Sequence, residues 1–146
     1  MKLNTMAAVM SFISKIENDS SSFYENYDEK YPEVKDTFHR WAKENRKFEK
    51  MVKQTYFGII TDTIESNYSF DGLDTDDYDL VTTLPVDIDL TEAKKGAHIL
   101  EETIKNFYLK ASQLSEGLMA DIPKLFEKIV KKREERLLFL RSSGMP

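Results

Sequence analysis

The chain has 146 residues, of which 40% are hydrophobic and 32% charged, a size and balance typical of one folded domain with its own core. It has no cysteine, which excludes disulfides and thiolate metal sites, and its net charge of −5 argues against a nucleic-acid partner. No run of about 18 apolar residues is present, and the first residues lack the pattern of a secretory signal, so we expect a cytoplasmic protein without membrane contact.

Two helices are predicted in the first half of the chain. Apolar residues recur at helical spacing over residues 6–27, and Glu17 and Ser20 interrupt this stripe. Pro32 suits the first turn of a second helix, which we expect to continue to about Ile64 because its apolar stripe meets no further proline.

The connection to the third helix, at about residues 65–90, is predicted to be long and extended. It is rich in aspartate and has no sustained helical period, and its acidic side chains offer a surface to a protein partner. Its apolar residues could pack on the chain's own bundle or across a second subunit, and the sequence does not decide between these. They are Tyr68, Phe70, Leu73, Tyr78, Leu80, Val81 and Leu84.

The last two helices complete an all-α fold. Asp89 precedes the third apolar stripe as a capping residue, Pro123 opens the fourth helix, and residues 142–146 are expected to form a flexible tail. Short turns within each helix pair and one long crossover between helices 2 and 3 predict a four-helix bundle in a single domain, residues 1–141.

One segment of the first helix is repeated in the third. Glu17 stands six residues before Phe23-Tyr24, and Glu101 stands six residues before Phe107-Tyr108. Duplication of a helix pair explains this repeat, with each half supplying one inner helix. The paired aromatic residues are expected in the core, where a tyrosine hydroxyl could reach a central carboxylate.

With these two segments and this crossover, the chain resembles the ferritin-like superfamily and, within it, the rubrerythrin-type proteins. The resemblance implies a bundle core that holds two iron or manganese ions. One Glu from each of the first and third helices and a Glu-x-x-His from each of the other two would bind them. Residues i and i+3 share one helix face, so both can reach the same metal pair. Homodimers are common in this superfamily, so the resemblance also implies a homodimer.

The resemblance maps six ligand positions onto this chain, and only the first and fourth of them carry the expected glutamate. The six are Glu17, Asn45, Phe48, Glu101, Arg133 and Arg136. Arginine cannot lose its proton to bind a metal, and its charge opposes a dication. We therefore expect no cofactor and a remnant cluster in which two glutamates pair with two arginines, with Tyr24 and Tyr108 beside them.

Other polar residues are expected to play no part in this cluster. Glu44 and Glu134 lie outside the apolar stripes of the second and fourth helices, so we expect both at the surface. His39 and His98 occupy no ligand position. The acidic run at residues 71–79 lacks the order of an EF-hand loop, so we expect a solvated or partner-binding segment.

Three functions follow, in decreasing order of support. The first is a non-catalytic ferritin-like protein, without catalytic residues, that acts by binding a protein or a small ligand. The alternative is an atypical di-iron oxidase, peroxidase or iron-handling protein that binds iron or manganese through Glu17 and Glu101, with Asn45, Tyr24 or Tyr108 as unexpected ligands. The third is a protein that binds a small anion at Arg133 and Arg136.

Overall fold

The computed structural model describes residues 1–59, 70–116 and 121–142. Four α-helices make up most of this part of the chain: α1 (Met6–Asp28), α2 (Lys35–Ile59), α3 (Leu90–Leu114) and α4 (Asp121–Ser142). Short 3-10 turns occupy Pro32–Val34 and Thr75–Tyr78, and the described residues contain no β-strand. The predicted all-α fold class is confirmed.

The helix ends follow local capping chemistry. The side chain of Thr5 accepts a hydrogen bond from the backbone N–H of Ala8 at the start of α1, and Asp89 caps α3 at the N–H of Glu92. Pro32 begins a 3-10 turn rather than α2 itself. Pro123 lies in the first turn of α4, where a backbone N–H would have no acceptor within the helix, so proline is tolerated there.

Some of the predicted features lie outside the described residues. These are the expected end of the second helix at residues 60–64, the start of the connection at residues 65–69, which includes Tyr68, and tail residues 143–146. Ser142, predicted as the first residue of the tail, belongs to α4.

Each helix lies antiparallel to two neighbours. The hydroxyl of Ser21 in α1 donates to the backbone carbonyl of Ala42 in α2, and Phe12 in α1 packs edge-to-face on Phe107 in α3. On the opposite side, Tyr108 in α3 contacts Phe126 in α4, and Trp41 in α2 contacts Phe139 in α4. The order around the core is therefore α1, α2, α4, α3, so α2 and α3 lie at opposite corners and run in the same direction.

Residues 70–89, the connecting segment, lie along α1 from its start to its end. The N–H of Phe70 donates to the carbonyl of Asn4, whereas the hydroxyl of Tyr27 accepts from Leu84 near the other end. Phe70 and Leu73 are fully buried in the core, and Gly72 between them adopts the positive φ of 90° that the turn requires.

The connecting segment thus packs its two most buried side chains on the chain's own bundle. Tyr78, Leu80 and Leu84 are partly buried against the same core, while Val81 is 63% exposed. Within the described residues, no helix combines the length and apolar character that crossing a bilayer requires.

Replacing Phe70 by alanine should lower the free energy of unfolding by about 3–5 kcal/mol, because it leaves a cavity in a closed core. Val81→Ala, on the exposed side of the same segment, should change it by less than about 0.5 kcal/mol. Urea denaturation of both variants measures the difference. Equal effects would contradict the packing described here.

Candidate functional site

The six mapped positions meet in the core between the four helices, and all of them are buried. Glu17 comes from α1, Glu101 from α3, Asn45 and Phe48 from α2, and the two arginines from α4. Five of these residues are polar or charged, so their position inside an otherwise apolar core requires that they satisfy one another. The buried cluster is defined as these six residues together with Tyr24 and Tyr108.

Arg133 joins the two glutamates. Its Nη1 donates to both carboxylate oxygens of Glu101, at 2.9 and 3.0 Å, and its Nη2 donates to Oε1 of Glu17. A single guanidinium from α4 therefore bridges a carboxylate of α1 and a carboxylate of α3. Charge-assisted bonds of this kind are stronger than neutral ones, and the planar guanidinium fixes their direction.

Arg136, one turn further along α4, links the cluster to α2. Its Nη1 donates to Oε2 of Glu101 at 3.0 Å and to Oδ1 of Asn45 at 2.7 Å. Its Nη2 donates to the carbonyl of Trp41 at 3.3 Å and to Oε1 of Glu44 at 2.9 Å. This one side chain thus joins α2 and α3 to its own helix, α4.

The tyrosines of the repeated segments bond across the bundle. Tyr24 of α1 donates its hydroxyl to Oε2 of Glu101 in α3, and Tyr108 of α3 donates to Oε2 of Glu17 in α1 at 2.5 Å. Burial raises the pKa of both tyrosines well above 10, and the charge of the neighbouring glutamate is the second largest cause. Both tyrosines therefore keep the proton that they donate. Each half of the repeat completes the hydrogen bonds of the other.

Asn45 and Phe48 complete the cluster on the α2 side. The Nδ2 of Asn45 donates to the hydroxyl of Ser20 at 2.8 Å, and that hydroxyl donates to the backbone carbonyl of Glu17. The ring of Phe48 lies 5.6 Å from the Cζ of Arg133 and 5.5 Å from that of Arg136, within range of cation–π attraction. An aromatic ring thus covers both guanidinium groups.

The two glutamates differ in their electrostatic surroundings. Burial acts to raise the pKa of Glu101, but Arg133 and Arg136 outweigh it and hold this pKa below its ordinary value of 4.5. Burial raises the pKa of Glu17 above 4.5, because Arg133, Tyr108 and the more distant Arg136 offset it only in part. Burial opposes the charge of Arg133, yet Glu101 and Glu17 raise its pKa and keep it charged.

The expectation that Glu44 is a free surface residue is wrong, whereas Glu134 is exposed as expected. The Glu44 side chain is one-third exposed, but its carboxylate accepts a hydrogen bond from buried Arg136. Helical periodicity did not reveal this, because Glu44 lies at the edge of the buried face of α2 and reaches Arg136 on another helix. Ser20 was visible in the sequence only as an interruption of an apolar stripe.

The residues present do not fit the two-metal site that the resemblance implies. The carboxylates of Glu17 and Glu101 are bridged by a cation that cannot ligate a metal. In residues 1–59, 70–116 and 121–142, no three His, Cys, Asp or Glu side chains come together as a metal site would need. His39 lies 3.6 Å from Asp28, and His98 accepts a hydrogen bond from Arg141, both away from the cluster.

Comparisons with known proteins identify no family for this chain. No protein-family model matches the sequence, and neither a curated protein nor a solved structure gives a match.

Replacing Glu101 by glutamine should lower the free energy of unfolding by about 3–5 kcal/mol, because it leaves two buried guanidinium groups without their shared partner. Glu17→Gln should cost less, because burial raises the pKa of Glu17 and its charge is itself a cost to the fold at neutral pH. Glu134→Gln on the surface of α4 serves as the matched control. Chemical denaturation measures the free energy of unfolding of all three variants. Equal losses in Glu101→Gln and Glu17→Gln would contradict the difference between the surroundings of the two carboxylates.

The same two variants should respond to pH with opposite signs. The lowered pKa of Glu101 means that its charge stabilises the fold above pH 4.5, a contribution lost as pH falls through the folded-state pKa. The raised pKa of Glu17 means that its charge costs stability at neutral pH, a cost relieved as pH falls toward 4.5.

As pH falls from about 7 toward 4.5, the destabilisation by Glu17→Gln should therefore grow, whereas the destabilisation by Glu101→Gln should shrink only below pH 4.5. Denaturation curves at a series of pH values measure both trends. Trends of the same sign would show that the two carboxylates are not held in different electrostatic surroundings.

Proposed function

We propose that the chain is a non-catalytic member of the ferritin-like superfamily, of the rubrerythrin type, and that it acts by binding a protein or a small ligand. A buried Glu/Arg network takes the place of the two-metal site. The observation that carries the proposal is the guanidinium of Arg133, which donates to both Glu17 and Glu101.

The arrangement of the helices supports the superfamily assignment. Helices α2 and α3 run in the same direction at opposite corners, so the chain between them has to return along the bundle. The connecting segment lies along α1 and makes that return path in its described part. The two copies of the repeated segment face each other, as the duplication of a helix pair predicts.

The chemistry of the cluster supports the non-catalytic assignment. Glu17, Glu101 and Arg133 are fully buried, and the carboxylate oxygens accept hydrogen bonds from arginine and tyrosine. An oxidase or peroxidase that used the glutamates would first have to remove Arg133 from between them. Breaking one side of a buried pair costs about 3–5 kcal/mol, which a weakly bound metal would not repay.

The proposal includes a homodimer, a cytoplasmic location and a partner surface on the connecting segment. Asp76, Asp77, Asp79 and Asp87 are exposed there, which supports electrostatic recognition of a basic partner. The apolar packing of Phe70 and Leu73 on the bundle holds this acidic surface in place.

Elemental analysis tests the proposal on protein expressed in iron- and manganese-replete medium. The wild-type chain should carry close to no bound metal after gel filtration, while circular dichroism shows a folded helical protein. A matched variant restores the pattern of the resemblance with Asn45→Glu, Phe48→His, Arg133→Glu and Arg136→His. This variant should take up about two metal ions per chain.

About two ions per wild-type chain would contradict the proposal and favour the di-iron alternative. Failure of a folded restored variant to bind metal would instead contradict the mapping of the six positions onto the superfamily pattern. Adding Glu17→Gln to that variant should reduce its uptake.

A further inference from the structure

A small groove lies between α2 and α4, directly outside the buried cluster, with a volume of about 200 Å³. This is below the roughly 300–1,000 Å³ of pockets for drug-sized ligands, so it suits a smaller molecule. Its lining combines cationic, aromatic and acidic side chains. The six that matter here are Arg40, Trp41, Glu44, Lys132, Arg136 and Phe139.

Arg136 connects this groove to the core. It is 2% exposed, its Nη1 is bound to Glu101 and Asn45 inside the bundle, and its Nη2 donates to the carbonyl of Trp41 and to Glu44. Its Nε is buried and has no hydrogen-bond acceptor among the described residues. An arginine held in this way on its inner side presents a fixed donor to whatever occupies the outer side.

Glu44 shows which chemistry fits that donor. Its carboxylate accepts from Nη2 of Arg136 at 2.9 Å, although its side chain is one-third exposed and reaches the groove from α2. Glu44 is the partly exposed member of this pair and makes a single bond to the buried Arg136, and a ligand carboxylate can make the same charge-assisted bond. A ligand carboxylate can therefore compete with it.

Two cationic side chains of the groove, Arg40 and Lys132, lie outside the network of the buried cluster. Three cationic side chains line it against two acidic ones, Glu44 and Glu135. Glu135 lies 3.7 Å from Lys132, with both side chains well exposed, so this pair is weak. Arg40 is exposed and has no ion-pair partner in the described part of the chain. Arg40 and Lys132 are thus both able to attract an anion into the groove.

The groove also has one aromatic wall, the partly exposed ring of Phe139. Trp41 is buried, with 3% exposure, and Phe139 packs against it edge-to-face, with ring centroids 5.6 Å apart. Phe139 remains 37% exposed, so one aromatic surface is open to a ligand. This combination favours a molecule with a carboxylate at one end and a flat or aliphatic body at the other over a bare inorganic anion.

We propose that the groove between α2 and α4 binds a small organic carboxylate, which displaces Glu44 from Arg136 and rests its apolar body on Phe139, the ring that packs on buried Trp41. Arg40 and Lys132 draw the anion in. This proposal rests on the proposed function in one respect, that the chain acts by binding, and it names the class of ligand.

Isothermal titration calorimetry with benzoate tests the proposal, with benzamide and inorganic phosphate as comparison probes. Benzoate should bind about tenfold or more tightly than neutral benzamide, which cannot form the charge-assisted bond to Arg136. It should also bind more tightly than phosphate, which has no apolar body. Absence of benzoate binding, or equal affinity for benzamide or phosphate, overturns the proposal.

Two variants with matched controls assign the binding to this groove. Glu44→Gln removes the competing carboxylate and should tighten benzoate binding by about two- to fivefold, while Glu134→Gln, away from the groove on α4, should not. Arg40→Gln should weaken binding by a similar factor, while Arg46→Gln, the same charge change on α2 away from the groove, should not.

An unchanged affinity in Glu44→Gln, or equal effects in a variant and its control, overturns the assignment to the groove. The metal content of the same samples separates this proposal from the previous one. Two ions per chain would contradict the proposed function, whereas the benzoate results alone decide the groove.

Discussion

The structure depends on the pairing of two buried glutamates, Glu17 and Glu101, with the guanidinium of Arg133. Taking a carboxylate out of water costs several kcal/mol unless a counter-charge and hydrogen bonds replace the lost solvation. Arg133 supplies both, with three hydrogen bonds to the two carboxylates, and Tyr24 and Tyr108 add one bond each. Because Arg133 is equally buried, neither the arginine nor the glutamates could be accommodated without the other.

This constraint fixes the relative positions of the helices. Arg133 and Arg136 lie on α4, while their acceptors lie on α1, α2 and α3, so sliding any helix by one turn would break charge-assisted bonds. Buried ion networks often add little net stability compared with apolar packing, and their best-attested role is to specify one register. We infer that role here, with the aromatic side chains around the cluster supplying most of the apolar burial.

The helices follow from sequence periodicity and the membership of the cluster from the resemblance, but the bonding within the cluster follows from neither. Asn45 and Arg136 share the 3–4 spacing of the apolar residues on their helices, which agrees with their burial on the inner faces. Periodicity predicts which residues of one helix are buried, but the environment of Glu44 depends on Arg136, which lies on another helix. A surface position was therefore expected for Glu44. Similarly, the sequence shows Phe70 as an apolar residue in an acidic connection, and only the tertiary path along α1 shows what it packs on.

The guanidinium of Arg133 lies between the two carboxylates, where the proposed relationship to the ferritin-like superfamily would place the metal pair. The most direct test is a crystal structure of protein expressed in iron- and manganese-replete medium, with anomalous difference maps at both absorption edges. We expect the planar Arg133 group between Glu17 and Glu101, without an anomalous peak. An anomalous peak between these carboxylates, with Arg133 displaced, would contradict it.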